Sequence, residues 1–249
     1  MPDPGVLLIG MFLPLFPLSM AFNAVFERID HPLPRSMLLL AWPQAGLWAL
    51  SAYAAPIPSW LVVWALVTAL LYAFRLLAMR EMGRWTGYLA TSAWALLWIP
   101  AYAGIPASEL WVFAAAFSVP LAFLALLADT LTRRFGAAYT GLYGGLARRM
   151  PRFSGVLVIS ILAATATPLF PTFFAMLNAL IVSQPLPAVA LTGIWLIWSW
   201  AAARLLQGLI VGPAEPSPEL DLSMTRTWSY AAGLTALIVA GLILIGGKL

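Results

Sequence analysis

Apolar residues along this chain neither alternate with polar ones at a period of two nor keep to one helical face. They run in blocks, several of them about as long as a helix needs to cross the roughly 30 Å hydrocarbon layer of a bilayer. Charges, prolines and glycines punctuate the blocks. The pattern predicts spans near residues 5 to 26, 37 to 55, 59 to 79, 86 to 104, 108 to 128, 153 to 183, 187 to 211 and 228 to 247. That is an all-α polytopic membrane bundle of eight transmembrane helices, a single domain over residues 1 to 249. The sixth block is too long for one plain helix and carries Pro168 and Pro171 at its middle. Proline lacks a backbone donor and breaks the i to i−4 ladder, so this block is expected to be the one discontinuous helix. The first block has no basic leader and no small-residue cleavage site, and is expected to stay as a span.

Composition sharpens the picture. With 63% hydrophobic and only 9% charged residues, against about 25% charged in globular domains, a soluble core is excluded. The absence of cysteine excludes disulfides and thiolate metal sites, and the single histidine, His31, leaves no multi-histidine cage. Alternation through eight spans sets both termini and the loops near 56, 106 and 185 on one side, and the loops near 31, 82, 140 and 220 on the other. Arg28, Arg35, Arg75, Arg80, Arg84, Arg133, Arg134, Arg148, Arg149, Arg152, Arg204 and Arg226 all fall in or beside the second set, whereas the one lysine, Lys248, falls with the first. The positive-inside rule then makes the arginine side cytoplasmic and both termini external, as in a multi-pass protein of a bacterial inner membrane. The pI of 9.8 reflects that topology and does not point to nucleic acid. Arg133, Arg134, Arg148, Arg149 and Arg152 form a candidate docking surface for a soluble subunit, although topology alone accounts for them. The segment 212 to 227, with Pro213, Pro216, Pro218, Glu215, Glu219 and Asp221, reads as an exposed loop and a linker rather than a binding motif.

A charge at mid-bilayer costs a few kcal/mol or more and is retained mainly for transport or proton relay. Here Asp3, Glu27, Asp30, Glu81, Glu109, Asp129, Glu215, Glu219 and Asp221 all lie in loops or near helix ends, and Arg75 and Arg204 lie close enough to an end to snorkel. The polar residues within the spans are neutral: Ser19, Asn23, Gln44, Ser92, Ser118, Thr165, Thr167, Thr172 and Asn178. They have two readings, a hydrated path for a neutral solute or ordinary hydrogen bonds between helices. Trp42, Trp60, Trp85 and Trp228 suit interfacial belts, whereas Trp195, Trp198 and Trp200 suit a helix face. Arg80, Glu81 and Arg84 beside Trp85 read as a lipid-headgroup anchor. No nucleophile–base pair or phosphate-binding glycine loop is present, so neither an enzyme nor a bound cofactor is expected.

Several stretches carry a resemblance. The run GGLARRMPRFSGVLVISILAATATPLFPTFFAMLNAL at 144 to 180, PLFPLSMAF at 14 to 22, HPLPRSMLLLAWPQAG at 31 to 46 and LLYAFRLLAMREMGRWTGYLATSAW at 70 to 94 resemble, in order, the antiporter-like subunits of respiratory complex I and their Mrp-type relatives, closest to the M-type chain. The resemblance covers the seventh to fourteenth family helices. It implies that the inverted partner repeat formed by the first six is missing, and that a partner chain stands in for it. The relay residues have changed. The family lysine before the PLFPLH motif falls on Phe12 and the motif histidine on Ser19. The lysine of LLKxG falls on Gln44, the histidine of SHMG on Ala93, that of the next helix near Ala115, and the charged residue after the helix break on Met176.

The resemblance and the departures together suggest a non-pumping accessory or structural subunit, packed against a full-length antiporter-like chain and lipids. The host is a complex I-like or hydrogenase-like membrane arm, or a bicarbonate-uptake system that pairs such a chain with a zinc-containing cytosolic subunit. The alternative is an independent transporter or channel for a neutral or weakly polar solute.

Overall fold

The computed structural model describes residues 4–53, 56–142, 144–212 and 220–244. Among them the backbone is helical in every expected block and forms no strand beyond one isolated bridge between Glu81 and Tyr139. The helices are α1 (Pro4–Phe12), α2 (Ser19–Arg28), α3 (Pro32–Ala52), α4 (Ser59–Ala78), α5 (Met82–Ala95), α6 (Trp98–Tyr102), α7 (Ala107–Phe135), α8 (Leu146–Arg149), α9 (Pro151–Ala164), α10 (Pro171–Ile181), α11 (Pro185–Ile210) and α12 (Met224–Leu244). Four of these, α4, α7, α11 and α12, are long and apolar enough to cross a bilayer. The chain is a multi-pass membrane protein.

Interruption is more common than the sequence suggested. The sixth block breaks as expected: α9 stops at Ala164, Pro168 lies in the gap, and Pro171 opens α10 at a position where a missing donor costs nothing. The first block, expected to be continuous, also breaks, between Phe12 and Ser19, around Pro14 and a cis peptide joining Phe16 to Pro17. The fourth is interrupted at Leu96 and Leu97, between α5 and α6. Pro43 and Pro120, by contrast, sit inside the continuous helices α3 and α7.

Helix α7 is the organising element, packing most extensively on α3 and also on α5, α9 and α10. Helix α5 lies inside the bundle between α2, α4 and α7 and is buried on nearly every side. Its small residues allow this. A Cβ at Gly87 would lie 2.9 Å from the Phe26 ring, so only glycine lets α2 approach so closely. At Gly241 of α12 a Cβ would come within 2.8 Å of the Pro171 backbone nitrogen, so α12 crosses α10 at backbone contact.

The loops at one end of the bundle are tied together. Met82 N–H donates to Ala138 O at 2.9 Å, Thr140 N–H to Arg80 O at 2.8 Å and Gly141 N–H to Gly208 O at 3.3 Å. The arginines collect at this end. Residues 220 to 222 also belong here, and the structure corrects the expectation of a free linker for this part of 212 to 227. The Asp221 carboxylate accepts the N–H groups of Arg152 at 2.8 Å and Phe153 at 3.0 Å, while Arg152 donates to Leu222 O at 3.2 Å and Arg134 to Leu220 O. Asp221 thus supplies, from far along the sequence, the N-cap that Met150 cannot give α9. Residues 213–219, Asp3 and Lys248 lie outside the described residues, as do the last residues of the eighth expected span.

Candidate functional site

A broken helix leaves carbonyls and amides without partners at a depth where no water can satisfy them, and each costs several kcal/mol if left bare. The breaks are therefore where a membrane bundle of this kind builds either a site or a seal. In the first break, Met11 O accepts from Trp42 Nε1 at 3.2 Å, Leu13 O from Trp98 Nε1 at 3.1 Å and Phe16 O from Trp64 Nε1 at 2.6 Å. Phe16 N–H donates to Thr68 Oγ1 at 3.0 Å. The second break follows the same logic. Ala166 O accepts from Trp195 Nε1 at 3.1 Å, Leu162 O from the Thr167 hydroxyl at 2.8 Å, and Ala163 O from the Thr172 hydroxyl. Ala166 and Leu169 adopt positive φ angles of 56° and 84°, a conformation that costs a non-glycine residue about 1 kcal/mol or more.

Four of the tryptophans thus clamp exposed backbone, a role that neither an interfacial belt nor a space-filling face describes. Trp42 was expected in a belt and Trp195 on a helix face. Trp64 and Trp98 carry no signal of their role in the local sequence. Trp85, also expected in a belt, is buried and its indole N–H has no partner among the described residues. Trp60 and Trp228 are exposed, as a belt requires. No local signal distinguishes these roles, because the accepting carbonyl lies on a different segment.

The neutral polar side chains close on one another between helices. Ser19 Oγ meets Tyr72 Oη at 3.0 Å, Asn23 Nδ2 donates to Thr91 Oγ1 at 3.0 Å, Trp198 Nε1 to Ser92 Oγ at 2.9 Å and Trp94 Nε1 to Ser118 Oγ at 3.0 Å. Ser92 in turn donates to Ala69 O at 2.7 Å. All of Ser19, Tyr72, Thr91, Ser92, Trp94, Ser118 and Trp198 are buried. Gln44 Nε2 reaches Trp111 O at 3.4 Å. Gln44 Oε1, Asn178 Oδ1 and the Ser154 and Ser160 hydroxyls stay unpartnered among the described residues.

The substituted relay positions divide accordingly. Ser19 is held by Tyr72 and sits beside the first break. Phe12 packs its ring 4.9 Å from that of Trp42. Ala93 and Met176 are buried, on α5 and α10, and Ala115 is partly buried on α7. None of the four clefts described along the surface is lined by any of the six. Among the described residues no group of histidines and carboxylates could hold a metal.

Charge lies at the arginine end. Arg35, ahead of the expected second span, stacks its guanidinium 4.3 Å from the centre of the Phe26 ring. Burial lowers its pKa from the ordinary arginine value, and Glu81, Asp30, Glu27 and Asp129 pull it back. Glu81 caps α5, accepting from Gly83 N–H at 2.8 Å and Arg84 N–H at 2.6 Å, and Arg84 lies 3.6 Å from Glu27. The expected headgroup anchor at Arg80, Glu81 and Arg84 is thus split, with Glu81 and Arg84 engaged by their own chain. The five arginines of the proposed docking surface also separate: Arg133 pairs with Asp129 at 2.7 Å, Arg134 and Arg152 hold 220 to 222, and Arg148 is exposed beside Arg149.

Neither a protein-family model nor a curated protein matches the sequence. Solved structures do. A chain of respiratory complex I from Thermus thermophilus superposes with a TM-score of 0.82 at 22% identity, over 94% of this chain and 52% of that one. A chain of the Mrp complex from Dietzia sp. DQ12-45-1b gives 0.82 at 14% identity, over 98% of this chain and 56% of that one. A chain of the membrane-bound sulfane sulfur reductase, an archaeal respiratory membrane complex, gives 0.77 at 18% identity, over 94% and 50%. The chain spans about half the length of each. The expected resemblance therefore holds at the level of the fold: this chain has the helical architecture of about half of one chain from each of these membrane complexes.

Proposed function

We propose that this protein is a non-pumping accessory subunit that contributes shape to a larger membrane complex built on antiporter-like chains. The observation that carries the reading is the state of the six aligned relay positions. Phe12, Ser19, Gln44, Ala93, Ala115 and Met176 have no titratable group, and both helix breaks spend their exposed backbone on indole and hydroxyl donors from the same chain. A proton relay needs groups that exchange protons along a hydrated path. Fixed neutral pairs in a dry bundle supply none, while the broken helices that give the fold its shape persist.

In this reading the eight helical blocks are all spans, the arginine end is cytoplasmic, and both termini are external. The host is a complex I-like or hydrogenase-like arm, or a bicarbonate-uptake assembly. Lateral surface for such a neighbour is ample, since only 28% of the α11 window and 17% of the α12 window are buried within the bundle.

Purification of the tagged chain from its native membrane in mild detergent, followed by mass spectrometry of what accompanies it, tests the proposal. Stoichiometric recovery of a full-length antiporter-like chain is expected. A stable preparation with no partner would overturn the reading and shift the weight to an independent transporter of a neutral solute.

A further inference from the structure

We propose that the cleft between α4 and α11 at the arginine end binds the phosphate of an anionic phospholipid, whose acyl chains lie on the apolar stripes leading into it. The cleft measures about 720 Å³ and is lined on its polar side by Arg80, Thr140 and Arg204. Its floor is fixed. The loop carrying Thr140 is pinned to the short connection between α4 and α5 through Arg80 O and to α11 through Gly208 O, and a Cβ at Gly208 would sit 2.9 Å from Thr140 Cβ, so the loop rests directly on α11.

Two cations are thereby held in one cleft with no acidic residue in its lining. Among the described residues neither guanidinium has a carboxylate partner, whereas Arg84 and Arg133 at the same end each have one. The Thr140 hydroxyl also makes no hydrogen bond among the described residues. Two guanidiniums and a hydroxyl with no partner among the described residues suit a phosphate, which accepts from all three at once.

The walls identify the source of that phosphate. Val63, Val67 and Phe74 of α4 are exposed at spacings of four and seven, which keeps them on one helical face. On α11, Val189, Leu196 and Trp200 are exposed at spacings of seven and four, and four residues further the same face reaches Arg204. Each stripe runs along the bilayer and ends at the cleft. A free phosphate has no use for such a path, whereas a lipid needs both parts, a tail against the stripes and a headgroup at the cations.

The test is native mass spectrometry of the full chain, purified with whatever accompanies it, after exchange into nanodiscs containing phosphatidylglycerol and phosphatidylcholine. The wild type is expected to retain phosphatidylglycerol with a preference of roughly twentyfold, scaled from two surface arginines. R80Q/R204Q and, independently, Thr140→Glu should each bring that preference close to one, while R148Q at an exposed arginine outside the cleft leaves it intact. Size-exclusion profiles check that each variant is folded, and Thr140→Glu keeps both arginines should the double variant fail. Equal retention of the two lipids, or a preference unchanged in the folded variants, would overturn the proposal. So would displacement of the lipid by millimolar inorganic phosphate, which would assign the cleft to a free anion.

Discussion

Single side chains carry the cost of keeping broken helices inside a packed bundle. Trp98 illustrates it: the residue is buried, and its one polar atom donates to Leu13 O inside the first break. Trp98→Phe keeps an aromatic ring but leaves that carbonyl bare, and is expected to destabilise by about 1–3 kcal/mol. A lowered thermal midpoint in detergent would register this. Trp48→Phe is the control, because Trp48 is 68% exposed and surface changes of this kind stay within about 0.5 kcal/mol. Equal midpoints for the two variants would refute the clamp. Seen from the sequence, Trp98 is one more aromatic residue in an apolar run. Its role depends on an acceptor more than eighty positions away, which no local spacing encodes.

Among the elements, α9 shows how a loop can do the work of a cap. Its preceding residue, Met150, has no side-chain acceptor to offer, and Asp221 takes the N–H groups of Arg152 and Phe153 instead. Asp221→Ala removes both bonds and is expected to cost about 1–2 kcal/mol. The effect should be local, freeing residues 220 to 223 and the start of α12. Trypsin cleavage after Arg226 in the detergent-solubilised protein would then be several times faster than in the wild type; an unchanged rate would argue against the docked arrangement. The prolines of the sixth block announced its break, because Pro168 and Pro171 stand in the middle of an overlong apolar run. The first break was as well supplied with prolines, Pro14 and Pro17. Those prolines do not by themselves predict a break, because proline inside an apolar block is also compatible with an unbroken helix, as Pro43 and Pro120 demonstrate, and only the neighbouring donors decide between the two.

For the whole molecule, the absence of a titratable group at all six aligned relay positions predicts a bundle that does not conduct protons. Proteoliposomes containing the purified chain should dissipate an imposed pH gradient no faster than empty liposomes, as read by an entrapped pH-sensitive dye; a protein-dependent leak would contradict a non-pumping role. The sequence by itself determined the solvent, the helical class and the places of the helical blocks, because apolar run length is measured directly against bilayer thickness and charge is excluded from it. It also carried the family-like order of motifs, which the fold matched despite identities of 14% to 22%. Only the tertiary structure decided which blocks break, which tryptophans seal the breaks, that Asp221 caps α9, and that Arg80 and Arg204 line one cleft. The physical reason is common to all four. Hydrophobic periodicity is a property of neighbouring residues, whereas satisfying a buried polar group is a property of whatever the fold brings against it.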